Sequence, residues 1–328
     1  MAGKVLVTGG AGYIGSHACK ALARAGFEPV VFDNLSTGWK GAVKWGPLVR
    51  GDLMDRASID AALAEHRPLA VMHFAALSLV GESMQDPGRY WRVNVGGALN
   101  LLEACAAAGV RNFVFSSTCA TYGDQDGVLL TEATPQRPIN AYGGSKLAIE
   151  QMLQDFGKAA GISHVIFRYF NVAGADPEGE AGEQHVPETH LIPLMLDAVA
   201  GKRPALTVFG TDYPTRDGTC VRDYVHVSDL ADAHVLGVRR LLDGKGNGVF
   251  CLGTGRGFSV REVIEASRAV TNREVPVVIG ERRAGDAAAL VSSSTHAIEE
   301  LGWEPRHSTL RQMIGDAWAW AQKPGFAE

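Results

Sequence analysis

The stretch "VLVTGGAGYIGS", Val5 to Ser16, decides how the rest of the 328-residue chain is read. Four β-favouring residues run into glycines spaced G-x-x-G-x-x-G at Gly9, Gly12 and Gly15, and an apolar stretch resumes behind them. Each glycine answers a steric demand: Gly9 permits a tight turn, Gly12 lets backbone N–H groups approach a pyrophosphate, and Gly15 lets a helix pack on the strand. The helix N-terminus then offers partial positive charge to the anion. A second strand ends at Asp33, 18 residues after Gly15, near the interval expected for a carboxylate that binds adenosine ribose hydroxyls. Such a carboxylate repels a 2'-phosphate, and "NLSTGWKG" places no arginine to neutralise one, so NAD is favoured over NADP. "RGDLMD" sets Asp52 and Leu53 at another strand end, suited to hold adenine by a carboxylate and a backbone amide; Asp52 reads equally as a helix cap.

Outward from this motif, apolar β-like runs alternate with helical patterns: "EPVVFDN", "LAVMHFAAL", "NVGGALNLLEACAAAG", "NFVFSSTC", "SKLAIEQMLQDFGKAAG", "HVIFRYFNVAG". The strands are continuously apolar, as expected when helices cover both faces of a parallel sheet. The fold class is α/β, a Rossmann-type doubly wound parallel sheet with a smaller C-terminal α/β substrate domain. After "RYFNVAG" the texture changes to "ADPEGEAGEQHVPETH", a polar loop too long for an idle connection and placed to cover a site. "VRDYVHVSDLADAHVLGVRRLL" reads as a further strand and helix returning to the sheet, with Ser228 or Asp229 as N-cap. The division is therefore discontinuous: residues 1–172 plus about 222–250 form the dinucleotide domain, and 173–221 with 251–328 the substrate domain.

Composition narrows the ligand class. With 46% hydrophobic and 20% charged residues the chain is an ordinary globular protein, and a net charge of -5 without a basic run argues against a grip on nucleic acid. No stretch reaches 18 uncharged apolar residues and no signal-peptide pattern opens the chain, so it reads as soluble and cytoplasmic. Cys19, Cys105, Cys119, Cys220 and Cys251 are scattered without C-x-x-C spacing, so reduced thiols are expected. The ten histidines show no H-E-x-x-H or clustered pattern, so no metal site is expected, and His73 reads as a strand end with a satisfied ring.

At the chemical end, "YGGSK" places Tyr142 and Lys146 four apart, on one helix face. The spacing alone is cheap. It gains weight because it follows "VFSSTCATYG", a strand running into a hydroxyl-rich turn where Ser116, Ser117 and Thr118 reach the carboxyl end of the sheet. A tyrosine of ordinary pKa near ~10 is a poor base, but a lysine ammonium and a cationic nicotinamide both favour its phenolate. It then takes a hydroxyl proton while a hydride leaves the same carbon.

These segments, with "VTGGAGYIGSH", "FDNLS", "HFAAL", "VGES", "FSSTCATYGD", "RYFNVAGA", "PETHLIP", "VFGTDYPTRDGTCVRDYVHVSDLADAH", "LGTG" and "RRAGD", resemble the UDP-glucose 4-epimerase family of the extended short-chain dehydrogenases/reductases over nearly the whole chain. The resemblance implies that Tyr142 removes the sugar 4-hydroxyl proton, that Lys146 binds the nicotinamide ribose and lowers the Tyr142 pKa, and that Thr118 hydrogen-bonds the 4-oxygen where many relatives carry serine. It also implies a transient 4-keto sugar that turns over and is reduced on its other face. Tyr13, Ile14, Asn34, Phe74, Ala75, Asn94, Ser116 and Tyr169 match cofactor-contacting positions. Arg222 and Arg283 match a diphosphate clamp, for which the planar arginine fork is suited. By the same resemblance Asn171 meets diphosphate and sugar, His190 and Leu191 lie in the uracil loop, Thr207 and Phe209 offer backbone groups to uracil, and Tyr224 and Asp286 meet the uridine ribose. A homodimer through the helices of "NVGGALNLLEACAAAG" and "YGGSKLAIEQMLQDFG" is implied as well.

Two departures stand out. Ser78 replaces a lysine that some members place near the cofactor, and Leu290 replaces a tyrosine that in some members limits the pocket beside the sugar 2-substituent. UDP-N-acetylhexosamine or UDP-pentose 4-epimerisation therefore stays an alternative. A 4,6-dehydratase needs an Asp-Glu pair after the active-site hydroxyl, where this chain has Cys119 and Ala120. A non-catalytic NAD sensor has no need of Tyr142, Lys146 and Thr118 together.

Overall fold

Seven parallel strands carry the molecule in the computed structural model, which describes residues 3–125, 127, 129–283 and 287–326. In space they run Gly248–Leu252, Ser163–Tyr169, Asn112–Ser116, Ala70–His73, Lys4–Thr8, Glu28–Asp33 and Leu48–Arg50. The order reverses between Lys4–Thr8 and Ala70–His73, the point at which doubly wound sheets open a crevice at their carboxyl ends.

Period-2 alternation of an all-apolar strand feeds both faces. Val5 and Val7 point with Val31, Met72, Val114, Val165 and Phe167 to a layer completed by the helices Tyr13–Arg24 and Val227–Leu242. Leu6 points the other way, with Phe32, Val71, Phe113, Phe115 and Ile166, toward the helices Arg56–His66, Gly97–Ala108 and Ala141–Ala160. A separate core of Ile192, Met195, Leu196, Leu206, Val208, Val263, Met313 and Ile314 fills the C-terminal half. His73 ends its strand with Nδ1 2.7 Å from the Thr8 hydroxyl. All five cysteines are free thiols.

The chain leaves the large sheet after Tyr169 and returns at Gly248–Leu252 by way of the helix Val227–Leu242. That helix is not capped by Ser228 or Asp229, as the sequence suggests. His226 is its N-cap and accepts from the Ser228 amide at 3.0 Å. The Asp229 carboxylate turns instead to the amides of Arg306 and His307 and the hydroxyl of Ser308, fastening the C-terminal segment. Capping is a local signal, and a long-range claim on the carboxylate overrides it. Among the described residues no helix is long and apolar enough to cross a membrane.

Phe113 is 1% exposed in the middle of the second core layer. Phe113→Ala should lower stability by about 3–5 kcal/mol, read as a shift in the urea midpoint followed by circular dichroism; a shift of under ~1 kcal/mol would mean that the layer collapses around the cavity.

Candidate active site

The glycine turn is built by close backbone approach. Gly9 has φ +74°, and a Cβ on it would stand 2.6 Å from the Ala75 nitrogen. At Gly15 a Cβ would stand 2.1 Å from the Gly9 carbonyl oxygen, so any side chain there pushes the helix off the turn. Gly12 is different: its Cβ would meet only the Gly9 oxygen, at 3.3 Å, so its outer side stays open. Gly12 is also the N-cap of Tyr13–Arg24, and no side chain caps that helix. Ile14 lies in its first turn, and the Tyr13 hydroxyl donates to the Gly174 carbonyl at 2.7 Å. An uncapped helix start facing an open glycine fits a bound diphosphate.

At the next strand end Asp33 is nearly buried; its Oδ2 accepts from the Ala11 amide at 3.0 Å and its Oδ1 from the Leu35 amide at 2.8 Å. Burial pushes its carboxyl up, and the two amides oppose this. Asn34 donates to Asp52 Oδ2 at 3.0 Å. Asp52 does not cap the helix that follows. Asp55 does, while Asp52 Oδ1 accepts from the Met54 amide at 2.8 Å beside the buried Leu53. This edge presents carboxylate oxygens with unused lone pairs, acceptors suited to ribose hydroxyls, so the residues present fit an NAD molecule.

Across the switch point the amides of Phe74 and Ala75 both donate to the Thr8 carbonyl, and the Phe74 ring packs on His234 at 4.8 Å. Asn94 is fully buried; its amide donates to the Leu77 carbonyl at 3.0 Å and the Ser145 hydroxyl at 3.1 Å while its oxygen accepts from the Leu77 amide. Both donors are spent, which makes this residue a strut between a loop and the tyrosine-bearing helix. Ser78 is exposed.

Tyr142 and Lys146 lie in the first turns of the helix Ala141–Ala160, which Asn140 caps by accepting from the Gly143 amide at 2.8 Å. Thr118 caps the short turn Cys119–Tyr122, and its hydroxyl hydrogen-bonds the Tyr142 hydroxyl. Lys146 Nζ donates to the Ser116 carbonyl at 2.9 Å and lies 5.0 Å over the Phe115 ring. The Ser116 hydroxyl is bonded to the buried Tyr169 hydroxyl. The three residues of the candidate site thus gather at the carboxyl end of the strand Asn112–Ser116, and burial governs their electrostatics in the NAD-free chain. Burial pushes Tyr142 up to about 12, and what opposes the rise is the Thr118 bond. The same burial drops Lys146 to about 7, opposed by Glu150. Desolvation penalises the charged form of each group.

Behind this pocket stands a pair that the sequence reading missed. Glu150, one turn beyond Lys146, accepts from Arg168 Nη2 at 2.5 Å, from Arg168 Nε at 3.1 Å and from the Ser117 hydroxyl at 2.5 Å. Arg168 also donates to the Tyr122 hydroxyl at 2.9 Å and to Gln136 Oε1 at 3.0 Å. A charged residue inside the apolar run "HVIFRYF" is the signal for it.

The remaining expected residues gather at the C-terminal half. Asn171 is the register partner of Tyr224, and their side chains are hydrogen-bonded. Arg222 donates to the carbonyls of Val221 and Ala287 at 2.9 Å and is the register partner of Leu290. Thr207 and Phe209 lie on the strand Leu206–Phe209, and the Arg283 guanidinium stacks 3.9 Å over the Phe209 ring. His190 is the N-cap position of the helix Leu191–Val199, with its ring between Glu183 and Glu188. These two carboxylates also flank His185, so the fold brings together two histidines that the sequence shows only as scattered. Asp286 lies outside the described residues.

Residues 5–253 match the family model described as NAD dependent epimerase/dehydratase family. The chain belongs to that family. It is 53% identical over 316 residues to the UDP-glucose 4-epimerase of Rhizobium meliloti (strain 1021), covering 96% of each chain. The UDP-glucose 4-epimerase from Brucella ovis, solved in complex with NAD, is 50% identical and superposes with a TM-score of 0.95 over 97% of this chain and 98% of that one. The UDP-Glc/GlcNAc 4-epimerase of Campylobacter jejuni is 40% identical with a TM-score of 0.84, again over 97% of this chain and 98% of that one.

The buried amine gives a pH signature. Unfolded, Lys146 holds its proton to about 10.5; folded, it releases it near 7, so between these values the unfolded chain binds more protons and stability rises with pH. Below pH 7 the cost of burying the ammonium is present in full. Lys146→Met should therefore raise the melting temperature of the NAD-free protein more at pH 6 than at pH 9.5; an equal rise at both values would mean that the amine is not desolvated.

Proposed function

We propose that the protein is a UDP-glucose 4-epimerase, interconverting UDP-glucose and UDP-galactose through a transient 4-keto sugar with NAD as resident cofactor. The observation that carries this reading is the gathering of Thr118, Tyr142 and Lys146 around the carboxyl end of one strand, in a sheet whose first turn fits a dinucleotide. NAD, when bound, supplies reversible two-electron chemistry at the sugar carbon and adds a cationic ring to the pocket. The protein's own part is proton handling and positioning.

Tyr142 is the proton acceptor for the 4-hydroxyl and returns the proton when the other epimer forms. With its pKa pushed up to about 12 it is protonated in the NAD-free chain, so it needs a nearby positive charge before it can act as a base. Thr118 supports the phenolate by hydrogen bonding and offers the same hydroxyl to the sugar 4-oxygen. Lys146, already directed by the Ser116 carbonyl, holds the nicotinamide ribose hydroxyls. Gly9, Gly12 and Gly15 with the start of Tyr13–Arg24 cradle the cofactor diphosphate, and Asp33 takes the adenosine ribose.

On the nucleotide side Arg222 and Arg283 hold the UDP diphosphate. Stacking on Phe209 already fixes the plane of the Arg283 guanidinium, which reduces the ordering cost of gripping phosphate. Asn171 and Tyr224 share one edge for sugar and ribose. Residues 1–172 with about 222–250 then serve NAD, and 173–221 with 251–328 serve the UDP-sugar. The protein works in the cytoplasm as a homodimer; exposed Met84, Trp91 and Leu99 along the helices of that side support the pairing face.

The test is to supply UDP-galactose, UDP-N-acetylgalactosamine and UDP-arabinose separately, without added reductant, and identify products by NMR. UDP-glucose from UDP-galactose is expected; failure of all three while UDP-sugar binds would sink the reading. Tyr142→Phe should keep the fold and UDP binding while cutting kcat by about 10²–10⁴-fold, the usual worth of a positioned acid–base group.

A further inference from the structure

Residues 183–190 hold a constellation that the proton and hydride chemistry at the sugar does not use, although His190 also falls in the stretch matched to the uracil loop. Glu183, His185, Glu188 and His190 each offer one ligand atom, and these atoms lie within 4.8 Å of one another. His190 Nδ1 is 2.8 Å from Glu183 Oε1 and 2.9 Å from Glu188 Oε1. His185 Nδ1 is 3.1 Å from Glu183 Oε1 and 3.5 Å from Glu188 Oε2. The His185 nitrogen is shut off from solvent and, although close to both carboxylates, makes no well-directed hydrogen bond. Tetrahedral zinc with bonds of about 2.0–2.2 Å sets its ligand atoms ~3.3 Å apart, a value inside the span of these separations.

We propose that Glu183, His185, Glu188 and His190 form a four-ligand site for a divalent transition-metal ion of the zinc class. Two imidazoles and two carboxylates balance a 2+ ion, and a mixed nitrogen and oxygen set favours zinc over magnesium or calcium, which take oxygen ligands. The spacing E-x-H-x-x-E-x-H draws all four from eight consecutive residues, so no distant segment has to move. Their backbone is already fixed: the Glu183 carbonyl accepts from Trp320 Nε1 at 3.0 Å, and the Gln184 carbonyl from Trp39 Nε1 at 2.9 Å. The other acidic cluster of this loop, Asp176, Glu178 and Glu180, is no rival, because the Lys20 ammonium fills it at 2.6–2.7 Å from each carboxylate.

With four protein ligands the ion has no open position and acts as a clip rather than as a catalyst. It fastens the loop beside Tyr13, whose ring meets His185 edge-on at 6.2 Å, and fixes the start of the helix Leu191–Val199 through His190. The clip would join the border of the dinucleotide cradle to the first helix of the C-terminal half.

The experiment uses the full chain, stripped with EDTA and dialysed, and titrates zinc ion alone by calorimetry, with cobalt(II) as a spectroscopic substitute. One zinc per chain is expected, together with the strong visible absorption of four-coordinate cobalt. His185→Ala and Glu188→Gln should each weaken uptake by at least ~10–100-fold, the range seen when even the outer shell of a metal site is disturbed. Circular dichroism of the stripped variants checks that they fold. Independently of any variant, anomalous diffraction at the zinc edge should place the ion among the four side chains of the wild type. No uptake by the wild type, uptake that both folded variants retain, or an anomalous peak elsewhere would overturn the proposal and leave the cluster as imidazole–carboxylate bridges only.

Discussion

The Gly9 carbonyl sits where a side chain of residue 15 would be, and most of the molecule follows from that contact. It lets the first helix lie close on the first strand, so that the start of the helix, uncapped by any side chain, faces the gap left where the sheet reverses its order. The glycine turn, the reversal and the Asp33 edge are therefore one arrangement. Dense backbone approach at the turn is what makes the open side of Gly12 available to a ligand.

A second constraint acts from behind the pocket. Glu150 and Arg168 are both buried, and every nitrogen of the guanidinium has an acceptor among Glu150, Tyr122, Gln136 and the Glu132 carbonyl. A buried ion pair is tolerable only when its remaining hydrogen-bonding capacity is met, and here it is. Through Ser117 it also ties the hydroxyl-bearing turn to the helix of Tyr142 and Lys146. The groups proposed to react are thus braced from behind by a buried hydrogen-bond network.

What the sequence makes legible is what local rules encode. The glycines, Asp33 and the four-residue step from Tyr142 to Lys146 each declare themselves within one turn or one strand end, and the resemblance of the flanking segments does the rest. What it hides depends on partners far along the chain. Asn94 has both its amide donors tied up by Leu77 and Ser145, which no spacing announces. Asp229 reads as a helix cap until residues 306–308 claim its carboxylate. The directions in which burial moves the Tyr142 and Lys146 pKa values follow from desolvation, a property of the assembled fold rather than of the residue pair. The meeting of His185 with His190 depends on how a polar loop folds back on itself, where hydrophobic periodicity gives no guide.

That loop has a last consequence. Long polar segments rich in glycine and proline are the usual places where a folded protein is nicked, because a protease must draw an extended stretch of chain into its own cleft. Here Lys20 grips three carboxylates at one end, and two tryptophan indoles hold carbonyls further along. Lys20 and Trp39 belong to the front of the chain and Trp320 to its last helix, so drawing the loop out would mean releasing anchors at both ends of the protein. A segment that looks like the weak point of the sequence is thereby protected from digestion as long as the rest of the chain is folded.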